Sequence, residues 1–263
     1  MHRSVRYAVV SFGEEKLTGK GFFERAGLFV RSWLSGEKCA VCGERGSAEG
    51  GVVCRACGER LDAASRELCT RCRRRVGDCL CVKPGMEDAG CAAFIKLYFY
   101  SHEDGAPQNR LIYRLKTRKD SFLCRESARL LAPKLLEYLR SSLVLPDEAV
   151  ICPVPRSRKA KSENGTDQAR ELAKALAAET RSAYCEVLTR LRDGLPQKGL
   201  DAAARRENVA GMFAPAEGTD LSGFTAVIVD DVVTTGATVC ECAKALKAAG
   251  AQSVVCVALA SDE

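Results

Sequence analysis

The sequence has few histidines, no long apolar run and no glycine-rich nucleotide fingerprint, and each scarcity excludes a class of protein. Its two histidines, His2 and His102, lie outside every motif described below, so a histidine general base is not expected. No stretch approaches the roughly 20 consecutive apolar residues of a membrane helix, and the N-terminal segment lacks a secretory signal pattern. Neither Gly-x-Gly-x-x-Gly nor the Gly-Lys of a P-loop is present. We expect a cytoplasmic protein without a membrane span.

Cysteine, by contrast, is abundant: the chain of 263 residues has 15, and eight of them fall in close pairs between positions 39 and 81. In a reducing compartment such pairs are metal ligands more often than disulfides. The first quartet is Cys39, Cys42, Cys54 and Cys57, and its two Cys-x-x-Cys knuckles predict a structural zinc site. The second quartet is Cys69, Cys72, Cys79 and Cys81, whose last pair has a weaker one-residue spacing. For both quartets, buried unpaired thiols or redox cysteines remain an alternative, with more weight for the second, and the ligand pairing stays open.

A basic patch lies within the second quartet. It consists of Arg71, Arg73, Arg74 and Arg75. Together with Lys116 and the other basic residues of the segment 110–119, it could track the phosphate backbone of single-stranded DNA. The net charge of +6 permits such a partner without requiring one. A solvated charged surface is the alternative interpretation.

The remaining sequence alternates between apolar strands and amphipathic helices. Strands are predicted at 92–100, 148–154, 184–188, 224–229 and 253–260, and helices at 121–142, 168–179 and 237–249. Pro133 should kink or divide the first of these helices, because proline has no N–H group to donate. Strands that are apolar on both faces and separated by helices predict an α/β fold with a mostly parallel sheet covered by helices.

Residues 227–239, VIVDDVVTTGATV, carry the most specific chemical pattern. A buried strand runs into Asp230 and Asp231, and a Thr-Thr-Gly-Ala-Thr turn then begins a helix. Gly236 allows a tight turn, and the backbone N–H groups at the helix N-terminus provide donors and positive dipole for a phosphate. The two carboxylates lie where parallel sheets place ligand contacts, so they can grip vicinal ribose hydroxyls or hold Mg²⁺ through water.

This segment resembles the signature of the type I phosphoribosyltransferases, in which an apolar strand, an acidic pair and two small residues precede Thr-Thr-Gly-x-Thr. The resemblance implies that the 5-phosphate of phosphoribosyl pyrophosphate binds the phosphate loop, Thr234, Thr235, Gly236, Ala237 and Thr238. It also implies that Asp230 and Asp231 are the catalytic acid pair and bind the 2- and 3-hydroxyls of the ribose, with Mg²⁺ accompanying the substrate.

From about residue 39 to its C-terminus, the chain also resembles the ComF family of competence proteins. The residues that carry this likeness are the paired cysteines and Pro153, Val154, Pro155, Gln168, Arg190, Pro196, Gln197, Leu200, Arg206, Asn208 and Phe213. One segment departs from the family, because Asn-Gly-Thr-Asp-Gln at 164–168 stands where relatives usually have Arg-Gly-Phe-Asn-Gln.

The ComF likeness implies two further parts of a phosphoribosyl site. Residues 154–159 would form a pyrophosphate loop, in which Arg156, Arg158 and Lys159 meet the charge of the ligand. The segment 192–208, with Gln197 and Arg206, resembles the mobile loop that closes over the reacting sugar and excludes water. A solvated loop and helix face is the alternative for this arginine-rich stretch.

Three segments are therefore expected: an unassigned extension at 1–38, a zinc-binding module at 39–90 and a phosphoribosyltransferase-like domain at 91–263. The leading hypothesis is a Mg²⁺-dependent enzyme that binds phosphoribosyl pyrophosphate and passes ribose 5-phosphate to a nitrogen nucleophile, with a role in natural competence. Two alternatives stay open. One is a non-catalytic competence factor that binds single-stranded DNA and DNA-uptake proteins, and the other is a regulator that senses phosphoribosyl pyrophosphate without turnover.

Overall fold

The computed structural model describes residues 38–44, 52–101, 103–117, 121–157, 167–193 and 202–262. Within these ranges the strands are β1 Cys91–Phe99, β2 Ala149–Pro153, β3 Ala183–Tyr184, β4 Leu188–Arg190, β5 Phe213–Pro215, β6 Thr225–Val233 and β7 Ser253–Ser261. The α-helices are α1 Arg55–Ala64, α2 Pro107–Thr117, α3 Ser121–Ser141, α4 Gln168–Thr180, α5 Ala202–Val209 and α6 Ala237–Ala248.

Five of the strands form one sheet in the order β1-β7-β6-β2-β3, and every neighbouring pair in it is parallel. The remaining two, β4 and β5, form a separate antiparallel ribbon. Because all five strands of the sheet run the same way, their carboxyl ends share one edge, where parallel α/β folds bind ligands. The predicted fold class, a mostly parallel sheet covered by helices, is confirmed.

The strands are apolar on both faces because helices cover both sides of the sheet. Val227 and Val229 of β6 belong to a core that includes α3 and α4. Ile228 and Cys256 belong to a second core, which includes α6. Successive strand residues point to opposite faces, so an unbroken apolar run such as that of β6 fills both cores at once.

Three local features differ from the sequence predictions. The strand predicted at 184–188 is two short strands, β3 in the central sheet and β4 in the ribbon. Pro133 lies inside the unbroken helix α3, where Leu131 and Leu135 are fully buried and hold the helix on both sides of it. Residues 202–208, the last part of the expected mobile loop 192–208, lie in the helix α5, which ends at Val209.

The two cysteine quartets pack against different parts of the sheet domain. Cys39 and Cys57 of the first quartet join the core that contains α2 and α3. Cys69 and Cys79 of the second form a small cluster with Val76 and with Phe99 of the edge strand β1. None of the helices in the described ranges combines the length and apolar character that a bilayer span requires.

Candidate functional site

The predicted phosphate loop connects β6 to α6 at the carboxyl edge of the sheet. Gly236 precedes the helix with a φ of +80°, a left-handed conformation that favours glycine. The N–H of Ala237 lies 3.4 Å from the hydroxyl oxygen of Thr235, so the turn is also held by a side chain. The loop thus presents the N-terminus of α6, with its positive dipole end, to the edge of the sheet.

The predicted acid pair lies within β6, which continues past Val229 to Val233. The N–H of Asp231 donates to Oδ1 of Asp230 at 2.8 Å, and the N–H of Val232 donates to Oδ1 of Asp231 at 2.7 Å. Burial, and then the negative charge of Asp231, raise the pKa of Asp230 to about 7. A carboxyl group that titrates near neutral pH therefore lies in β6, next to Asp231.

Asp231 faces two cations. Its Oδ2 lies 3.2 Å from Nη2 of Arg156 and 3.8 Å from Nζ of Lys116. The Asp231 side chain is 9% exposed, whereas that of Lys116 is 46% exposed. Arg156 was predicted for the pyrophosphate loop, and Lys116 for a nucleic-acid surface. The structure places both at the acid pair, so two cationic side chains lie within 4 Å of Asp231.

Asp167 belongs to the segment that departs from the ComF pattern, and it has two structural contacts. Its Oδ1 accepts the N–H of Arg170 at 3.2 Å and so caps the N-terminus of α4. The same oxygen lies 3.7 Å from Nε of Arg156. An aspartate in place of the usual asparagine thus keeps the cap and adds a negative charge that orients Arg156.

The helix α5 brings an arginine to the phosphate loop that the sequence analysis missed. Nη1 of Arg205 lies 3.3 Å from Oγ1 of Thr234. Arg206, which is predicted as part of the mobile loop that closes over the sugar, is exposed on the same helix. Neighbouring helical residues point about 100° apart, so only the register of α5 distinguishes them, and the sequence contains no signal for it. The predicted residues Arg158, Lys159 and Gln197 lie outside the described residues.

A cleft of about 440 Å³ adjoins Arg156, between the segment after β2 and the β4–β5 ribbon. It is lined by Pro153, Pro155, Arg156, Asp167, Glu186, Leu188, Thr189, Arg190, Leu191, Arg192 and Asp193. Arg190 closes one side, since its Nη1 lies 3.5 Å from the carbonyl oxygen of Pro155 and its guanidinium stacks 5.6 Å from the ring of Phe213. The volume is that of a small-molecule site, and the lining is mixed polar and apolar.

Each cysteine quartet has its four sulfur atoms within 4.8 Å of one another. In the first quartet the sulfurs of Cys42 and Cys54 are 3.9 Å apart, close to the roughly 3.8 Å expected for tetrahedral zinc with Zn–S bonds of about 2.3 Å. The sulfur of Cys39 accepts the N–H groups of Val41 and Cys54. Burial opposes ionisation of this thiol, but these and other backbone donors outweigh it and lower its pKa to about 6. Both quartets fit a tetrathiolate metal site.

The segment that follows the second quartet in sequence, residues 82–86, lies against the phosphate loop. Arg71, between its first two cysteines, donates to the carbonyl oxygen of Val82 at 2.6 Å. A Cβ atom added at Gly236 would lie 3.1 Å from Cβ of Lys83 and 3.2 Å from Sδ of Met86. Lys83 also donates to the carbonyl oxygen of Asp262. No sequence pattern indicates that residues 82–86 form a wall of the loop.

Three members of the predicted basic patch have no acidic partner in the described parts of the chain. Arg73, Arg74 and Arg75 are exposed, and the ion pairs of the described residues do not include them. Arg73 adopts a left-handed φ of +60° at the tip of the knuckle. The patch is therefore a compact positive surface that faces solvent.

Comparison with known proteins defines the class of the sheet domain. The phosphoribosyl transferase domain family matches residues 152–263, the part of the chain that contains the acid pair and the phosphate loop. The chain therefore contains a phosphoribosyl transferase domain.

The relatives of the chain agree with its resemblance to the ComF family. It is 35% identical over 150 residues to the DNA utilization protein YhgH of Salmonella typhi and 35% identical over 156 residues to that of Escherichia coli strain K12. Each match covers 56% of this chain and 64% of the relative. It is also 30% identical over 150 residues to Competence protein F of Haemophilus influenzae, covering 56% of this chain and 65% of that protein. The chain thus spans just under two thirds of the length of these relatives. The relatives, the domain and the paired cysteines fit the ComF family.

Proposed function

We propose that this protein binds phosphoribosyl pyrophosphate together with Mg²⁺ and transfers its ribose 5-phosphate to a nitrogen nucleophile, in a role connected with natural competence and the use of DNA. The observation that carries the proposal is the junction of β6 and α6. There a left-handed glycine, a helix N-terminus and an acid pair lie next to two cations. This combination of donors and carboxylates matches a ligand with a terminal phosphate, vicinal hydroxyls and a second anionic group.

Each part of the ligand has a matching part of the site. The 5-phosphate would take the N–H groups of residues 234–238, with Arg205 beside Thr234 as an additional donor. The ribose hydroxyls would lie against Asp230 and Asp231. The pyrophosphate would compete with Asp231 for Arg156, which is within reach of both the acid pair and the cleft. Arg156 would therefore exchange Asp231 for the pyrophosphate without moving away from the site.

Mg²⁺ fits the same arrangement because carboxylate oxygens are its usual protein ligands. Asp230 and Asp231 would hold it, directly or through water, and it would neutralise charge on the pyrophosphate as that group leaves. The protein's own contribution is to orient the sugar and to stabilise the departing anion with Arg156, so no histidine base is needed.

The acceptor would enter the 440 Å³ cleft beside Arg156. In the reaction, the bond between C1 of the ribose and the pyrophosphate oxygen breaks and a bond from C1 to the nitrogen forms. The nitrogen's proton is lost to pyrophosphate or solvent. The cleft supports a nitrogen acceptor because carboxylates of Asp167, Glu186 and Asp193 line it and can accept N–H groups.

Calorimetry with phosphoribosyl pyrophosphate and Mg²⁺ tests this proposal. We expect saturable binding to the unaltered protein and a loss of at least roughly 100-fold in affinity in the Asp230→Ala, Asp231→Ala double variant. The matched control is the Asp147→Ala, Glu148→Ala double variant. It removes another adjacent acidic pair, which precedes β2 at the opposite edge of the sheet, and this variant should bind the ligand normally. Absence of binding in the unaltered protein would refute the proposal. Binding without pyrophosphate release for any amine or nucleobase acceptor would favour the sensing alternative.

A second function, binding of single-stranded DNA, is favoured by the exposed arginines at 73–75, which have no ion pair with an acidic residue of the described ranges. The names of the relatives, DNA utilization protein and Competence protein F, point in the same direction. Arginines on one knuckle can contact successive phosphates, and each contact releases counterions from the strand.

Salt dependence of oligonucleotide binding tests this second function. We expect Arg73→Ala, Arg74→Ala to weaken binding and to reduce the slope of log affinity against log salt by roughly 1.4, about 0.7 for each phosphate that an arginine no longer neutralises. The control variant Arg55→Ala, Arg66→Ala removes two arginines of the same module that are already paired with Glu59 and Asp62. Equal slopes for the two variants would count against a DNA surface at the knuckle.

A further inference from the structure

Lys96 is a buried cation in the central sheet. It lies in the middle of β1 and is 3% exposed. Its Nζ is 3.4 Å from the sulfur of Cys79 and 3.3 Å from each of the carbonyl oxygens of Cys79, Cys81 and Phe94. It also lies 4.6 Å from the centre of the Phe94 ring. The whole ammonium group is thus enclosed by the second cysteine quartet and its own strand.

A buried ammonium group needs nearby negative charge, because transfer of an uncompensated charge from water into a protein costs several kcal/mol. No carboxylate supplies it, since none of the ion pairs among the described residues includes Lys96. Carbonyl dipoles and one aromatic face compensate only part of the charge. The sulfur of Cys79 is therefore the group from which a full negative charge can come.

We propose that the second quartet binds a divalent metal ion as a tetrathiolate site, and that Lys96 is its counter-cation. Four thiolates around a divalent ion leave two negative charges in excess, and such charge is stabilised by donors to the sulfur atoms. Lys96 provides one full positive charge at the sulfur of Cys79. Backbone N–H groups donate to sulfur atoms in both quartets, from Val41 and Cys54 to Cys39 and from Cys81 to Cys79. Among the described residues, the second quartet has the ammonium group of Lys96 in addition.

The proposed role of Lys96 distinguishes a metal site from buried neutral thiols at the second quartet, which the cysteine spacing alone does not do. The Cys79-x-Cys81 pair is an unusual knuckle, and buried neutral thiols were the alternative. With neutral thiols, however, Lys96 would be an uncompensated charge within a core strand. The two alternatives therefore make opposite predictions for the removal of the ammonium group, and neither depends on phosphoribosyl pyrophosphate.

The test compares zinc binding and stability in full-length variants. We expect the unaltered protein to hold two zinc ions per chain, measured by elemental analysis. Lys96→Met should hold the second ion roughly 10- to 100-fold more weakly, measured as transfer of zinc to a chromophoric chelator. It should also melt at a lower temperature than the unaltered protein. Cys72→Ser identifies the affected ion, because adding Lys96→Met to that variant should not change its metal content further.

Lys134→Met is the matched control. Nζ of Lys134 donates to the carbonyl oxygen of Gly77 at 2.5 Å and lies 3.4 Å from Asp78, so it contacts the same module without touching a sulfur atom. This variant should keep both zinc ions with normal release. Unchanged release of both ions from Lys96→Met, or a higher melting temperature of that variant, would overturn the proposal. So would a protein that binds a single zinc ion whose retention Cys72→Ser does not affect.

A measurement on the unaltered protein covers the case in which Lys96→Met does not fold. Lysine acetylation, followed by mass spectrometry, should leave Lys96 unmodified while both zinc ions are bound. Stepwise removal of zinc should expose it in proportion to the loss of the second ion. Acetylation of Lys96 at full zinc occupancy, or protection that persists after both ions are removed, would contradict the assignment.

Discussion

Asp230 and Asp231 are chemically identical neighbours in different surroundings. Asp231 lies within reach of Arg156 and Lys116. Burial and the charge of Asp231 raise the pKa of Asp230 to about 7, well above the ordinary aspartate value. Asp230 can therefore hold a proton near neutral pH, and we expect binding of a ligand or of Mg²⁺ at this carboxyl group to release it.

The raised pKa of Asp230 predicts a pH dependence of stability. From about pH 4 to about pH 7, the folded protein retains a proton on Asp230 that the unfolded chain has released, so the contribution of Asp230 to stability falls as the pH rises through this window. Asp230→Asn should therefore gain stability relative to the unaltered protein between pH 5 and pH 8, by roughly 1–3 kcal/mol. Urea unfolding at constant zinc measures it. The exposed Asp147→Asn serves as control, and parallel pH profiles for Asp230→Asn and the unaltered protein would disprove the buried-acid assignment.

At the scale of elements, the decisive feature is how β6 passes into α6. The strand carries the acid pair, the left-handed residue at 236 reverses the chain, and the helix presents its N-terminus to the same edge. Because residues 83 and 86 lie against this turn, a Cβ atom at position 236 would be in tight contact with them, and their side chains would have to shift. Gly236 is therefore needed both for the tight turn and for the close contact of Lys83 and Met86 with the phosphate loop.

Gly236→Ala should abolish measurable binding of phosphoribosyl pyrophosphate. Its Cβ would approach Lys83 and Met86 to within about 3.2 Å, and alanine in the left-handed region costs about 1 kcal/mol. Gly211→Ala is a matched control, because Gly211 also has a positive φ, of +62°, but no atom within 4 Å of an added Cβ. Thermal unfolding should show similar destabilisation of both variants from backbone strain, whereas calorimetry should show that Gly236→Ala alone fails to bind. Normal binding by Gly236→Ala would show that the loop is not the phosphate site.

At the scale of the whole molecule, the two cysteine quartets pack against different parts of the sheet domain. The first quartet packs with α2 and α3 on one face of the sheet. The second quartet packs on the edge strand β1 and continues into residues 82–86 at the phosphate loop. The two quartets therefore differ in how directly they contact the phosphate loop.

Loss of the second metal site should weaken ligand binding more than loss of the first. We expect Cys72→Ser to reduce the affinity for phosphoribosyl pyrophosphate roughly tenfold, about 1.4 kcal/mol, because Lys83 and Met86 lose their support against the loop. Cys42→Ser should have a smaller effect, since its quartet packs against the opposite core. Calorimetry on folded variants, each with zinc bound at its unaltered quartet, checks the order. Equal or reversed effects would mean that residues 82–86 hold their position without the metal.

Much of the fold and part of the site could be predicted from sequence because their signals are local. Two-sided apolar strands identified the parallel sheet, and the composition of residues 227–239 identified the strand, turn and helix of the candidate site. Contacts between distant segments have no such signal. Lys116 is predicted for a nucleic-acid surface because its sequence neighbours are basic, and no sequence signal indicates that its Nζ lies 3.8 Å from Asp231. Arg205 and Arg206 could not be distinguished without the register of α5.

The sequence by itself determined the fold class, the paired cysteines and the phosphate-loop motif, because hydrophobic period, ligand spacing and turn chemistry act over a few residues. Only the tertiary structure decided which charges meet. It placed Arg156 and Lys116 on Asp231, Arg205 on Thr234 and Lys96 on Cys79. The physical reason is that electrostatic interactions depend on distance in space and on burial, and residues dozens of positions apart acquire both only when the chain has folded.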